Sequence, residues 1–284
     1  MSYPTDRPAT WFVTGTSRGL GLELVRLLLE RGDRVAATTR SVERLASSLD
    51  GTATTNLLPL EVDLTSPTEV EAAVARTVET FGGLDVVVNN AGYGYLGAVE
   101  ETPAEDVRTM FDVQVHGTWN VLRSALPPMR AAGSGHLVNV SSVLGLLPFP
   151  GWGLYVAAKH ALEGLTGSLA AEVAGFGIRV TLVEPGYMRT DFLTPHSLVL
   201  PGDTVEGYAS IREMTSAHQA MPGTQLGDPA RAAAAIVRVV ESGDAPLHQL
   251  LGSDTLSLVE GQLEALRADL EASRTLAVTT DVPA

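Results

Sequence analysis

Between residues 10 and 186 the chain alternates short apolar runs, rich in Val and Leu, with longer segments whose apolar residues recur at helical spacing. The runs "TWFVTG" (10–15), "RVAATTR" (34–40), "NLLPLEVDL" (56–64), "LDVVVNNAG" (84–92), "GHLVNVSS" (135–142) and "IRVTLVEPG" (178–186) read as strands. The stretches between them, 21–32, 41–49, 66–82, about 103–131 and about 152–175, read as helices. In the first, Leu22, Val25, Leu28 and Leu29 share one face and Gly32 ends it. Strands that are apolar on both faces and joined by amphipathic helices require a parallel sheet covered on both sides. Right-handed crossovers then give an α/β doubly wound parallel sheet, a Rossmann fold of about seven strands.

Past residue 186 the pattern loosens. Residues 187–227 carry Pro195, Pro201 and Pro222 around a helical stretch at 206–220. A helix over 228–243 starts from Asp228 and Pro229. "PLHQLLG" (246–252) reads as a last strand and 253–274 as a terminal helix. No repeat or linker divides residues 1–284, so one domain is expected, with 191–225 as a substrate lid and 275–284 as a disordered tail.

Composition removes several classes of function. There is no cysteine, which excludes disulfides and thiolate metal sites. The histidines at 116, 136, 160, 196, 218 and 248 include no pair at metal-ligand spacing, so no metal is expected. A formal net charge of −14 argues against nucleic acid as a partner. No apolar run is long enough to span a bilayer and no leader pattern opens the chain, so a cytoplasmic protein without a membrane partner is expected. The same negative charge means that an anionic ligand needs arginines of its own at the binding site.

"TGTSRGLG" (14–21) sits where the first strand meets the first helix. Gly15, Gly19 and Gly21 there permit a tight turn, a close approach of backbone to a pyrophosphate, and close helix–strand packing, with Ser17, Arg18 and Leu20 between them. The helix start adds free N–H groups and a positive dipole. The second strand ends in Thr38, Thr39 and Arg40, with no carboxylate to hold a ribose 2′-hydroxyl. Arg18 and Arg40 suit a 2′-phosphate instead, which makes NADP(H) the expected cofactor. The competing reading takes Arg40 and Arg44 as a solvated charged face.

Lys159 is the only lysine, against eighteen arginines (nineteen basic residues less one), and it follows Tyr155 by four positions in "YVAAK". On a helix the two share a face. An ammonium is a compact point charge that favours a phenolate beside it, which makes a tyrosine a better proton exchanger.

"TGTSRGLG", "DL" (63–64), "NNAG" (89–92), Ser142, "YVAAK" and "PGYMRT" (185–190) stand in the order found in short-chain dehydrogenases/reductases, and residues 10–190 resemble that family. The stretch 147–180 is most similar to the branch holding 17β-hydroxysteroid and retinol dehydrogenases. The resemblance implies Tyr155 as general acid/base, Lys159 lowering its pKa and binding the cofactor ribose, and Ser142 bonding the carbonyl oxygen, with Ser141 as the alternative. Gln114, in "VQVHG" (113–117), stands where the family carries a catalytic Asn that holds a relay water on the lysine. Its amide lies one methylene further out, and the relay geometry changes with it.

By the same resemblance Asp63 and Leu64 meet the adenine, and Asn89, Ala91 and Gly92 run along the cofactor, unless Asn89 instead ties the central strands together. Thr190, after Pro185 and Gly186, binds the nicotinamide carboxamide. The helices at 103–131 and 152–175 correspond to the family's usual dimer faces, so a homodimer or homotetramer is expected. Tyr93, Tyr95, Leu144, Phe149, Trp152, Tyr187 and Met188 make an aromatic and apolar pocket for a small hydrophobic carbonyl or alcohol. The expected function is an NADP-dependent oxidoreductase. The alternatives are an NADPH-binding regulatory protein with little turnover, and an NAD-linked alcohol dehydrogenase.

Overall fold

A computed structural model describes residues 3–282. Strand–helix units run from β1 (Thr10–Thr14) and α1 (Gly19–Glu30) through β2 (Arg34–Thr39), α2 (Val42–Ser48), β3 (Leu57–Glu61), α3 (Pro67–Phe81) and β4 (Val86–Asn89). They continue through β5 (Gly94–Tyr95), α4 (Ala104–Phe111), α5 (Gly117–Ala132), β6 (Gly135–Val140), α6 (Gly153–Val173) and β7 (Ile178–Pro185). The remainder holds β8 (Leu198–Val199), α7 (Ala209–Gln219), α8 (Pro229–Ser242), β9 (His248–Leu251) and α9 (Ser253–Ala277). Seven strands form one parallel sheet in the order β3-β2-β1-β4-β6-β7-β9.

Alternation along β1 explains how a strand buried on both faces is shared between two cores. Trp11 and Val13 point to the layer of α1 and α8, where Leu24, Leu28, Ile236 and Val240 meet them. Phe12 points the other way, toward Val74, Val121 and Leu169 on α3, α5 and α6. The chain direction across the sheet reverses between β1 and β4, and that switch point opens a crevice at the carboxyl ends of the strands.

Three features depart from the sequence reading. The expected single helix over 103–131 is interrupted by a π-helical turn, Asp112–His116, that carries Gln114. Helical periodicity cannot distinguish one extra residue in a turn, and such bulges often mark functional positions. A two-stranded parallel sheet, Gly94–Tyr95 with Leu198–Val199, ties the loop after β4 to the segment 191–225; strands of two residues carry no periodic signal. Residues 275–284 were expected to lack structure, yet α9 runs to Ala277 and a 3-10 turn follows at Val278–Thr280. Residues 283–284 lie outside the described residues.

Candidate active site

The crevice is a cavity of about 560 Å³. Its floor is the turn after β1. Gly15 adopts φ +69°, and a Cβ on it would lie 2.7 Å from the Cα of Ala91. A Cβ on Gly21 would overlap Gly15 O and the Asn90 amide. These two glycines are therefore required by packing of the turn against the end of β4. Gly19, at φ +57° with only Thr190 near its missing side chain, faces the cavity. No side chain caps α1, so its first turn is free to meet an anion.

Asn90, which the sequence reading passed over, locks this arrangement. Its Nδ2 donates to Thr14 O and Gly15 O, each at 3.0 Å, while Thr14 Oγ1 accepts from the backbone N–H groups of Asn90 and Ala91. Asn89 lies elsewhere. Its Nδ2 donates to Asn139 Oδ1 at 2.8 Å, and Asn139 in turn donates to Thr166 Oγ1 on α6. Asn89 does not line the cavity, so its placement is that of the strand tie and not of a cofactor contact. Gly21 is likewise outside the cavity lining.

Ser17, Arg18, Leu20, Arg40, Asp63, Leu64, Ala91, Gly92, Pro185, Gly186 and Thr190 all line the cavity with Gly15 and Gly19. Arg18 crosses from the turn to the segment after β7, donating to His196 O at 2.8 Å. Arg40 is exposed and enters no hydrogen bond or ion pair among the described residues. Asp63 accepts from the backbone and hydroxyl of Thr65, which fixes the turn below the crevice.

At the other end of the cavity Ser142, Tyr155 and Lys159 converge with Tyr93, Leu144, Phe149, Trp152, Tyr187 and Met188. The Tyr155 ring is held edge-on by Trp152 (5.6 Å between centroids) and by Phe192 (5.7 Å). Burial pushes its phenol well above the usual tyrosine range, and the Ser142 hydroxyl offsets part of that rise. Ser142 Oγ also accepts from Leu144 N–H at 3.1 Å. Lys159 Nζ lies 5.5 Å from the Tyr155 ring centroid and donates to Val140 O at 3.0 Å. The Ser142 hydroxyl is the hydrogen-bonding group that opposes the rise of the Tyr155 phenol.

Burial drops the Lys159 ammonium to about 8, against the pull of Glu163 one helical turn away. Glu163 belongs to a cluster with Glu184 and His248 that the sequence reading missed. His248 Nδ1 is 2.7 Å from Glu184 Oε1 and 3.6 Å from Glu163 Oε2. Glu184 is fully buried, and burial raises both carboxyls to about 7. The three ligand-type side chains lie within 4.8 Å of one another. Glu163 was legible as the position four after Lys159; Glu184 and His248 meet it only through the β7–β9 pairing.

A stability consequence follows for Glu184→Gln. A carboxyl with a raised folded-state pKa favours folding at low pH, and that contribution is lost as pH rises from the ordinary range of 4.5 through about 7. The amide variant is thus expected to melt on the order of 3 °C above wild type at pH 8 and close to it at pH 5. Thermal unfolding at the two pH values measures this. An equal effect at both would exclude the titration.

Gln114 is buried but not part of the cavity lining. Its Nε2 donates to Tyr93 O at 2.8 Å and touches Met110 Sδ, and its Oε1 has no hydrogen-bond partner. The amide is turned toward the loop after β4 and makes no hydrogen bond with Lys159. The extra methylene and the π-turn together set this direction. Helix α7 contributes a further side chain that the sequence reading left unassigned. His218 on α7 gives Nδ1–H to Met214 O (2.9 Å), which leaves Nε2 to accept from the Tyr187 hydroxyl (2.9 Å) when the ring is neutral. Its ring packs on Phe149, Trp152 and Tyr187.

A family model described as short chain dehydrogenase matches residues 9–198. Oxidoreductase BOA17 of Botryotinia fuckeliana is 34% identical over 270 residues, covering 95% of this chain and 98% of its own length. A short-chain dehydrogenase structure from Streptomyces avermitilis matches with a TM-score of 0.89 at 35% identity, over 98% of this chain and 100% of that one. A Burkholderia cenocepacia short chain dehydrogenase in complex with NADP matches at 25% identity and a TM-score of 0.72, over 93% of this chain and 98% of that one.

Proposed function

Because the chain belongs to the short-chain dehydrogenase/reductase family, we propose that it is an NADP-dependent oxidoreductase acting on a small hydrophobic ketone or the matching secondary alcohol. One observation carries the reading: Ser142, Tyr155 and Lys159 meet at the apolar end of a cavity whose other end offers a glycine turn, Arg18 and Arg40. That second end suits a dinucleotide, since Gly19 leaves the backbone open, α1 begins uncapped and no acidic residue ends β2. The complex of the Burkholderia relative with NADP supports the same cofactor.

When bound, a nicotinamide supplies or receives the hydride. The chain's own residues handle the proton and the placing of the substrate. Ser142 Oγ and the Tyr155 hydroxyl face the reacting oxygen together, and the high pKa of the buried phenol keeps its proton available as an acid in the reductive direction. Lys159 supplies positive charge beside the phenol and toward the ribose. Phe149, Trp152, Tyr187 and Phe192 exclude water and select an apolar substrate. A cytoplasmic homodimer or homotetramer completes the reading; no described helix is long and apolar enough to cross a membrane.

The test is NADPH consumption by purified protein against aryl, aliphatic and steroid ketones. Tight NADPH binding without turnover on any of them would favour the regulatory reading, which the orientation of Gln114 away from Lys159 motivates. Cofactor choice is tested separately. Arg40→Ala is expected to raise the NADPH dissociation constant about tenfold or more, through loss of charge-assisted contacts, and to change that of NADH less than twofold. Equal effects on both cofactors would leave Arg40 as a surface charge.

A further inference from the structure

The C-terminal helix α9 is anchored only at its foot. Asp254 Oδ2 accepts from Tyr187 N–H at 2.9 Å, Thr255 Oγ1 donates to Leu251 O at 3.0 Å, and Leu258 reaches the cavity. From Leu263 to Ala277 every residue is exposed. A helix of 25 residues is about 37 Å long. More than half of it therefore stands clear of the body that folds beneath it.

Two physical facts make such an arm incomplete by itself. An isolated helical segment as short as the exposed Leu263–Ala277 arm is marginal in water and draws its stability from packing of an apolar face. This arm has that face and leaves it uncovered: Leu256, Leu263, Leu266 and Leu270 are 52%, 51%, 52% and 61% exposed. With Val259, they occupy the first and fourth positions of successive heptads, the spacing of a two-helix seam. A solvated surface helix would carry its apolar residues toward the body instead.

We propose that α9 is an assembly arm, whose leucine face packs antiparallel against α9 of a second copy of this chain. Charge selects the occupant and the direction. With Leu263 opposite Leu266 of the partner subunit, Val259 meets Leu270 of the partner subunit, and symmetry repeats both layers. The same register sets Glu260 beside Arg267 of the partner subunit, twice over. It is centred on the middle of α9, so each tip lies at the other's foot and the full helix is used. The next antiparallel register brings Arg267 against Arg267 of the partner subunit, and these like charges exclude it.

The area is sufficient. Half-exposed leucines contribute roughly 100 Å² each, and two copies with their flanking stems bury about 1,000 Å², the lower bound of a specific interface. This surface is distinct from the faces of α5 and α6, so it adds to any assembly made there and doubles its size.

Sedimentation equilibrium of the full-length protein tests the arm. Leu263→Glu with Leu270→Glu is expected to halve the wild-type mass while NADPH binding and the far-ultraviolet dichroism of the body are retained. Glu260→Arg and Arg267→Glu are each expected to weaken the assembly at least threefold at low salt, and the two together to restore it to within about twofold. The charge variants carry the test if the glutamates unfold the arm. A monomeric wild type, or a double-glutamate variant of unchanged mass, overturns the proposal. A charge-reversed pair that fails to restore association overturns the antiparallel pairing.

Discussion

Tyr155→Phe is expected to lower kcat/KM by about a thousandfold or more while leaving the NADPH dissociation constant within about twofold. The two halves of this expectation come from different atoms. The ring is what the fold holds: Trp152 and Phe192 meet it edge-on at 5.6 and 5.7 Å, and phenylalanine keeps both contacts. The hydroxyl is what the proposed chemistry uses. It enters no hydrogen bond with a backbone group, and its neighbour Ser142 retains the Leu144 N–H as a partner. Removing it leaves no newly orphaned buried group, so stability is expected to change little. Initial rates on the best ketone, with fluorescence titration of NADPH, separate the two quantities. A residual rate within tenfold of wild type would remove Tyr155 from the chemistry. A large loss of NADPH binding would mean that the phenol holds cofactor as well.

The residues proposed to carry this chemistry were legible because they sit in local patterns. The glycine turn, "YVAAK" and the alternation of strands with helices are each contained in a short window, and periodicity and spacing read windows well. The seven-stranded parallel sheet follows from the same signal. What was not legible depends on contacts between distant segments. Glu184 and His248 are far apart in the chain and become a carboxyl–imidazole pair only because β9 aligns beside β7, with His248 opposite Leu182. Asn90 had no sign to separate it from Asn89, since both amides stand in "NNAG" and the strand's pleat alone sends one to the sheet interior and the other to the turn. The direction of Gln114 rests on a single extra residue in a helical turn. The α9 extension past residue 274 is continuous in its helical pattern, but its polar end resembles a tail by composition.

Lys159→Arg is expected to cost on the order of a hundredfold in kcat/KM, although it conserves charge. Lys159 is buried and makes one hydrogen bond, to Val140 O at 3.0 Å. A guanidinium brings five N–H donors into a site that offers few acceptors, and the surplus donors are left unsatisfied. The replacement also removes titration. Burial sets the Lys159 pKa at about 8, so the group changes charge within the working range, whereas arginine stays charged throughout. Because the chain has no other lysine, selective isotopic labelling gives a single side-chain resonance, and its charge can be followed without any substrate. The expected midpoint is near 8 in the cofactor-free protein. Glu163→Gln is expected to move it lower, since the neighbouring carboxylate is what opposes the cost of burial. A midpoint at the ordinary lysine value of 10.5 would mean that the ammonium is solvated, and the discrimination against arginine would then rest on shape alone. A low midpoint unaffected by Glu163→Gln would detach the buried carboxyl pair from the catalytic lysine.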